Sequence, residues 1–231
     1  MQMVRMLSTL ALKGAVTRLA GEYEATTGVR IDADFAPTVG LLPRLRGGEK
    51  ADIVMLTREG LDELAAEGAV IAASVVDLAR SYVGVAVKAG AAHPDIATEA
   101  AFRASVLAAR SVAYSKIGAS GIYFAELIGR LGIAAAINAK ATITSGFTAE
   151  RLITGEADLA VQQISELKLV DGIEVVGPIP LSLQTPAVFS AGRMAASQNV
   201  AEADALLRYL ASPEVAPVLI ETGLVPTFRS S

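Results

Sequence analysis

Short apolar runs alternate along this chain with stretches whose apolar residues recur every three or four positions. Residues 4–7 read as a buried strand, and 10–26 as an amphipathic helix stopped by Gly28. Residues 29–35 (VRIDADF) alternate as a second strand, and a loop over 36–40 leads into a helix reaching Leu45, stopped at Gly47 and Gly48. Residues 51–56 (ADIVML) make a third strand ended by Thr57, with a helix over 59–67. A β-α-β-α-β-α order calls for a parallel sheet covered by helices.

The pattern then repeats in plan. Residues 82–88 (YVGVAVK) read as a strand crossing into a second lobe, followed by a loop over 91–95 and a helix over 98–107. Residues 111–113 are a strand and 114–123 (YSKIGASGIY) a loop and helix start, with Ser120 expected as N-cap. A strand over 141–144 ends at Ser145, Gly146 and Phe147, and a helix over 148–154 stops at Gly155. The strand over 157–161 (ADLAV) ends at Gln162 and Gln163, and 173–176 is a short strand before a Gly-Pro turn. Residues 185–190 (TPAVFS) read as a return to the first lobe, before helices over 199–210 and 213–222. The expected fold class is α/β with two lobes, 1–81 plus 186–231 and 82–185, each a mostly parallel sheet with helices on both faces. A ligand cleft is expected between the lobes, with hinges near the crossings at 81–82 and 185–186.

In such sheets ligands bind beyond the carboxyl ends of the strands. In the first lobe those ends carry hydroxyls: Ser8 or Thr9, Thr38 and Thr57. In the second, a helix start supplies unpaired amides and partial positive charge, to which Lys116 adds a cation and Ser115 and Ser120 add hydroxyls. Neither GxGxxG nor a P-loop occurs.

Composition narrows the chemistry. Of 231 residues, 52% are hydrophobic and 19% charged, enough for a large aliphatic core. A net charge of −4 without a basic cluster argues against nucleic acid. With no Cys and one His (His93, in a loop), thiolate or His metal sites and a Ser-His-Asp triad are not expected; neither is any cofactor. No stretch approaches the ~18 apolar residues of a membrane span, and no signal-peptide pattern opens the chain.

Five segments, LST, FAPTVGLLPRLRGGEKADIVML, GASGIYFAELIGRLGI, GEADLAVQQ and LLRYLASPEVAPVLIETGLVPT, together resemble the periplasmic substrate-binding proteins of ABC importers, in particular the molybdate-binding subgroup. The resemblance spans essentially the whole chain. It implies a hinge-closing, monomeric binding protein that holds an oxyanion with neutral hydroxyls and backbone amides and serves ABC-transporter membrane subunits. The matching positions are Ser8 or Thr9, Thr38, the amides near Ser120 and Gly121, and those near Gly146 and Phe147. It also implies a periplasmic location, the cytoplasm being the alternative for a chain without a signal. The family's tyrosine after the ADLAV strand is replaced by Gln162, and Lys116 brings a charge to the pocket loop. A lysine with two glutamines suits a planar di- or tricarboxylate better than a compact tetrahedral dianion. The chain also looks like the aconitate isomerases, relatives that act on a tricarboxylate.

Three functions follow. The first is a solute-binding protein for a small anion, a carboxylate ahead of molybdate or sulfate, with no catalytic residue required. The second is an isomerase moving a proton in an unsaturated tricarboxylate, with Tyr114, Lys116, Tyr123 and the remoter Glu166 as acid-base candidates. The third, an effector lobe of a LysR-type regulator, is disfavoured by the lack of a basic helix-turn-helix.

Overall fold

The first apolar run becomes β1 (Met3–Ser8), which leads through a 3-10 turn at Leu10–Leu12 into α1 (Lys13–Thr27). This is a computed structural model, and it describes residues 2–228. Gly28 ends α1 with φ 71°, a left-handed conformation that a side chain would strain. β2 (Arg30–Phe35), α2 (Thr38–Arg46), β3 (Ile53–Thr57) and α3 (Arg58–Ala66) follow, then β4 (Val76–Ser81). Next come β5 (Val83–Lys88), α4 (Glu99–Ala108), β6 (Val112–Ser115), α5 (Ala119–Arg130) and α6 (Ala134–Asn138). They lead to β7 (Ala141–Thr144), α7 (Glu150–Ile153), β8 (Leu159–Gln163), α8 (Ile164–Leu167) and β9 (Ile173–Pro178). The chain closes with β10 (Ala187–Arg193), α9 (Val200–Leu210), a 3-10 turn, α10 (Ala216–Glu221) and β11 (Val225–Pro226).

Two compact units emerge: unit 1 is Met1–Ser81 with Ala187–Ser231, and unit 2 is Tyr82–Pro186. Unit 1 holds a six-stranded sheet in the order β11-β4-β10-β3-β1-β2. Strands β2, β1 and β3 run parallel, while β10 is antiparallel to both β3 and β4. Unit 2 holds a five-stranded sheet in the order β7-β6-β8-β5-β9. There β7, β6 and β8 are parallel, and β5 is antiparallel to β8 and β9. Each sheet is therefore mixed, parallel only in the half built from β-α-β crossovers. Helices cover both faces, and each unit has an apolar cluster on either side of its sheet. In unit 1 these centre on Met6 and Ile53 on one face and on Leu7 and Val54 on the other, as the two-residue strand period requires.

Several boundaries differ from the sequence reading. β4 went unread because Asp77 and Arg80 interrupt its apolar positions, and the opposing β10 has a register shift between Phe189 and Ser190. The short α6 was missed as well. The helix expected over 148–154 shrinks to α7, and α5 begins at Ala119 with Gly118, not Ser120, as its N-cap.

Candidate functional site

In unit 1 the parallel strands end together. Ser8, fully buried at the end of β1, donates its hydroxyl to the Thr9 carbonyl at 3.2 Å. The Thr9 amide is bound to the Met55 carbonyl at 2.8 Å, fixing this turn against β3. Thr38 opens α2, and its hydroxyl oxygen accepts from the Thr57 amide at 3.3 Å. Thr57 caps α3, its own hydroxyl oxygen accepting from the Gly60 amide at 3.3 Å. A Cβ at Gly60 would lie 2.8 Å from Thr38 Cγ2, so this glycine lets the start of α3 approach Thr38. Four expected residues thus share one rim, with Thr57 serving as a cap.

In unit 2 the corresponding rim lies at the carboxyl ends of β6, β7 and β8. Ser115 ends β6 and its hydroxyl oxygen accepts from the amides of Ile117 (3.2 Å) and Gly118 (3.3 Å), which folds the chain back sharply. The start of α5 then sits on this turn: a Cβ at Gly121 would be 1.5 Å from the Ser115 carbonyl oxygen, so only glycine fits. Gly121 therefore acts by lacking a side chain, and its amide is already bound to the Gly118 carbonyl at 3.0 Å. The amides of Ala119 and Ser120 are the first of the helix and lack an acceptor within it. Ala119 was not among the expected donors. Lys116 is exposed beside them, and the ion pairs of unit 2 (His93–Glu174, Arg110–Asp158, Arg151–Glu156) do not involve it.

The loop after β7 is tightly used. Its Ser145 is exposed, Phe147 is half-buried, and the Gly146 amide donates to Thr144 Oγ1 at 3.2 Å. Gln162 is buried and holds this loop from behind: its Oε1 accepts from the Thr148 amide (2.8 Å) and hydroxyl (3.0 Å). Its Nε2 donates to the Gly146 carbonyl at 3.4 Å. Gln162 is therefore committed to the loop. Gln163, next along β8, falls on the opposite face with Val161 and is 2% exposed, yet its side-chain carbonyl oxygen accepts no hydrogen bond among the described residues.

Three residues later stands Glu166, buried on the single-turn α8. Burial pushes its carboxyl up to about 7, opposed only by a hydrogen bond from Gln162. The tyrosines weighed as acid-base groups are otherwise engaged. Tyr114 donates to Asn138 Oδ1 at 2.6 Å and packs edge-on against Phe124 inside the core. Tyr123 donates to the Leu183 carbonyl at 2.7 Å. Burial pushes both phenols up, away from the neutral range. Glu166, unlike the two phenols, shifts toward pH 7.

Among the described residues, no group of three or more His, Asp or Glu side chains could hold a metal ion, and no helix is long and apolar enough to cross a membrane. Each unit also has grooves away from its rim. One of those in unit 2, about 570 Å³, is lined by His93, Ser105, Arg110 and Asp158 at the amino ends of β6 and β8, opposite the rim.

The profile of a family described as bacterial extracellular solute-binding protein matches residues 4–225. An aconitate isomerase from a Pseudomonas species is 38% identical over 227 residues, 95% of this chain and 86% of that protein. The periplasmic molybdate-binding protein of Azotobacter vinelandii superposes with a TM-score of 0.81 at 16% identity, covering 96% of this chain and 98% of that one. The sulfate-binding protein SubI of Mycobacterium tuberculosis does so with a TM-score of 0.79 at 13% identity, covering 98% and 88%. At these identities the two structures speak for the fold.

Proposed function

The chain belongs to the bacterial extracellular solute-binding proteins, and from that membership we propose that it binds a small di- or tricarboxylate of the aconitate or citrate kind. The observation that carries this reading is the rim of unit 2. An exposed ammonium, Lys116, stands within four residues of two amides at a helix start, Ala119 and Ser120. Helix-start amides hold one carboxylate, and the ammonium answers the charge of another. A tetrahedral metal oxyanion needs a compact ring of donors and gains less from a cation on a long, mobile arm. The 38% relative acts on aconitate by its name, which supports a tricarboxylate here.

In this reading the protein is a monomeric solute-binding component of an ABC importer in the periplasm. Calorimetry against trans-aconitate, citrate, molybdate and sulfate tests it. Heat from a carboxylate is expected; heat from molybdate or sulfate alone would overturn the choice of ligand.

A second reading is favoured by Glu166, a carboxyl titrating near neutral pH in the same unit. Moving a proton along an allylic carboxylate requires such a group. Incubation with trans-aconitate, followed by NMR for the cis isomer, separates binder from isomerase.

A further inference from the structure

Tyr123, weighed above as an acid-base group, joins two places that lie far apart along the chain. It stands one helical turn after Ala119, the first residue of α5. Its hydroxyl donates to the carbonyl of Leu183, 60 residues away, at 2.7 Å. The next residue, Gln184, is 9% exposed and gives its whole amide to the backbone. Its side-chain oxygen accepts from the Val83 amide at 2.9 Å, and its nitrogen donates to the carbonyls of Val83 (3.1 Å) and Ile179 (2.6 Å). Val83 is the second residue of unit 2, and Gln184 lies two residues before its end. We propose that Tyr123 and Gln184 are positioning residues for anion binding. They tie both ends of unit 2, where the chain crosses from and to unit 1, to the helix whose first amides take the anion. The inference rests on the anion-binding reading above.

The physical case starts at the crossings. β9 stops at Pro178, opposite Gly84, and Gln184 supplies the hydrogen bonds that a further strand residue would give Val83. On the other side Val83 pairs with Gln163 of β8, and the Tyr82 carbonyl accepts from the Ile164 amide at 2.9 Å. Freedom to turn is left to the bonds around 81–82 and 185–186. The helix end of the tie is equally firm. Gly121 sits against the Ser115 carbonyl, and Phe124, Leu127 and Ile128 are fully buried in the core. Helix start and crossings therefore make one rigid piece, with the Tyr123 hydroxyl as its link. Arg130 lies over the Tyr123 ring at 5.8 Å and reaches the same Leu183 carbonyl at 3.5 Å, a much weaker bond. An anion on the amides of Ala119 and Ser120 is thus held at a fixed place relative to the joints, so that closure about them has one geometry.

The test has two arms. Tyr123→Phe removes the hydroxyl and keeps the ring; because Arg130 can take over the carbonyl, the double variant with Arg130→Gln is measured beside it. In stopped-flow binding of trans-aconitate the association rate should stay unchanged, while dissociation quickens ~fivefold, as the loss of a hydrogen bond predicts. Spin labels on α4 and α9 should report a broader distance distribution in the ligand-bound variants. Wild-type dissociation with an unchanged distribution in both variants would overturn the inference while leaving anion binding intact. The second arm is hydrogen exchange of the ligand-free protein, which separates positioning from mere packing. The Val83 amide and the peptide covering 179–186 should lose protection ~threefold or more, while the α5 amides over 124–128 stay level. Loss spread through α5, or none at the crossings, would overturn the inference. If no carboxylate binds the wild type, the functional reading fails, and the exchange arm still decides whether Tyr123 holds the crossings.

Discussion

The rims of the two units do the same geometric job with different chemistry. In unit 1 the hydroxyls mostly serve the fold: Thr38 receives the Thr57 amide, Thr57 caps α3, and Ser8 turns toward the Thr9 carbonyl. All are neutral, so that rim keeps its shape across pH. The charges of unit 1 are gathered elsewhere, as in the Arg44 pairs with Asp34 and Glu49, which hold both carboxyls below their usual range. In unit 2 the rim carries an exposed ammonium and a helix start, and the same unit holds a buried carboxyl pushed toward neutrality. Unit 1 thus contributes a fixed shape, and unit 2 concentrates the charge and the titration.

The harshest way to break the comparison is at the two glycines beneath the rims. Gly121→Ala sets a methyl against the Ser115 backbone carbonyl, and a whole helix start must move to admit it. We expect a loss of ~4 kcal/mol in chemical denaturation, with anion binding abolished. In Gly60→Ala the methyl meets Thr38 Cγ2, a side-chain atom that can rotate, so ~1 kcal/mol is expected. Equal losses would mean that the two rims are built with equal tolerance.

The pH dependence of stability separates the units next. Glu166 titrates higher folded than unfolded, so its contribution is fully present below the ordinary glutamate value of 4.5 and is lost as pH rises to about 7. That span corresponds to ~3 kcal/mol, and Glu166→Gln should remove the decline from urea melts. In unit 1 the buried Asp52 behaves oppositely. Desolvation raises its carboxyl, but bonds from Ser197, the Arg5 amide and Asn199 outweigh this and hold it below the usual range. Its contribution is present above the unfolded value and is lost as pH falls. Asp52→Asn should cost ~2 kcal/mol at neutral pH and flatten the acid limb alone. A variant that altered both limbs would show that the units do not titrate separately.

Much of this was legible in the chain because it depends on local pattern. Strand ends followed by Ser8, Thr38, Thr57 and Ser115 could be read from apolar runs giving way to hydroxyls. What could not be read depends on contacts across the sheet. Gln162 was expected at the ligand, but the period of β8 turns it toward Thr148 and leaves Gln163 on the other face. Ser120 was expected as a cap, but Ser115 makes the turn instead and moves the helix start to Ala119. Glu166 could be noticed only as a remote acid, since its burial comes from packing between strands.

The smallest effect is expected at Lys116, where the rims differ most visibly. A buried lysine paired with a ligand carboxylate would contribute ~2 kcal/mol or more. Lys116 is exposed, so water and salt screen it, and Lys116→Ala should weaken trans-aconitate binding by ~0.5–1 kcal/mol. Calorimetry at low and high salt decides the matter: the difference between wild type and variant should shrink toward zero as salt is raised. A large, salt-insensitive loss would mean that the lysine becomes buried around the anion, so that unit 2 changes shape on binding. No loss at low salt would leave the amides of Ala119 and Ser120 as the charge-bearing part of the rim.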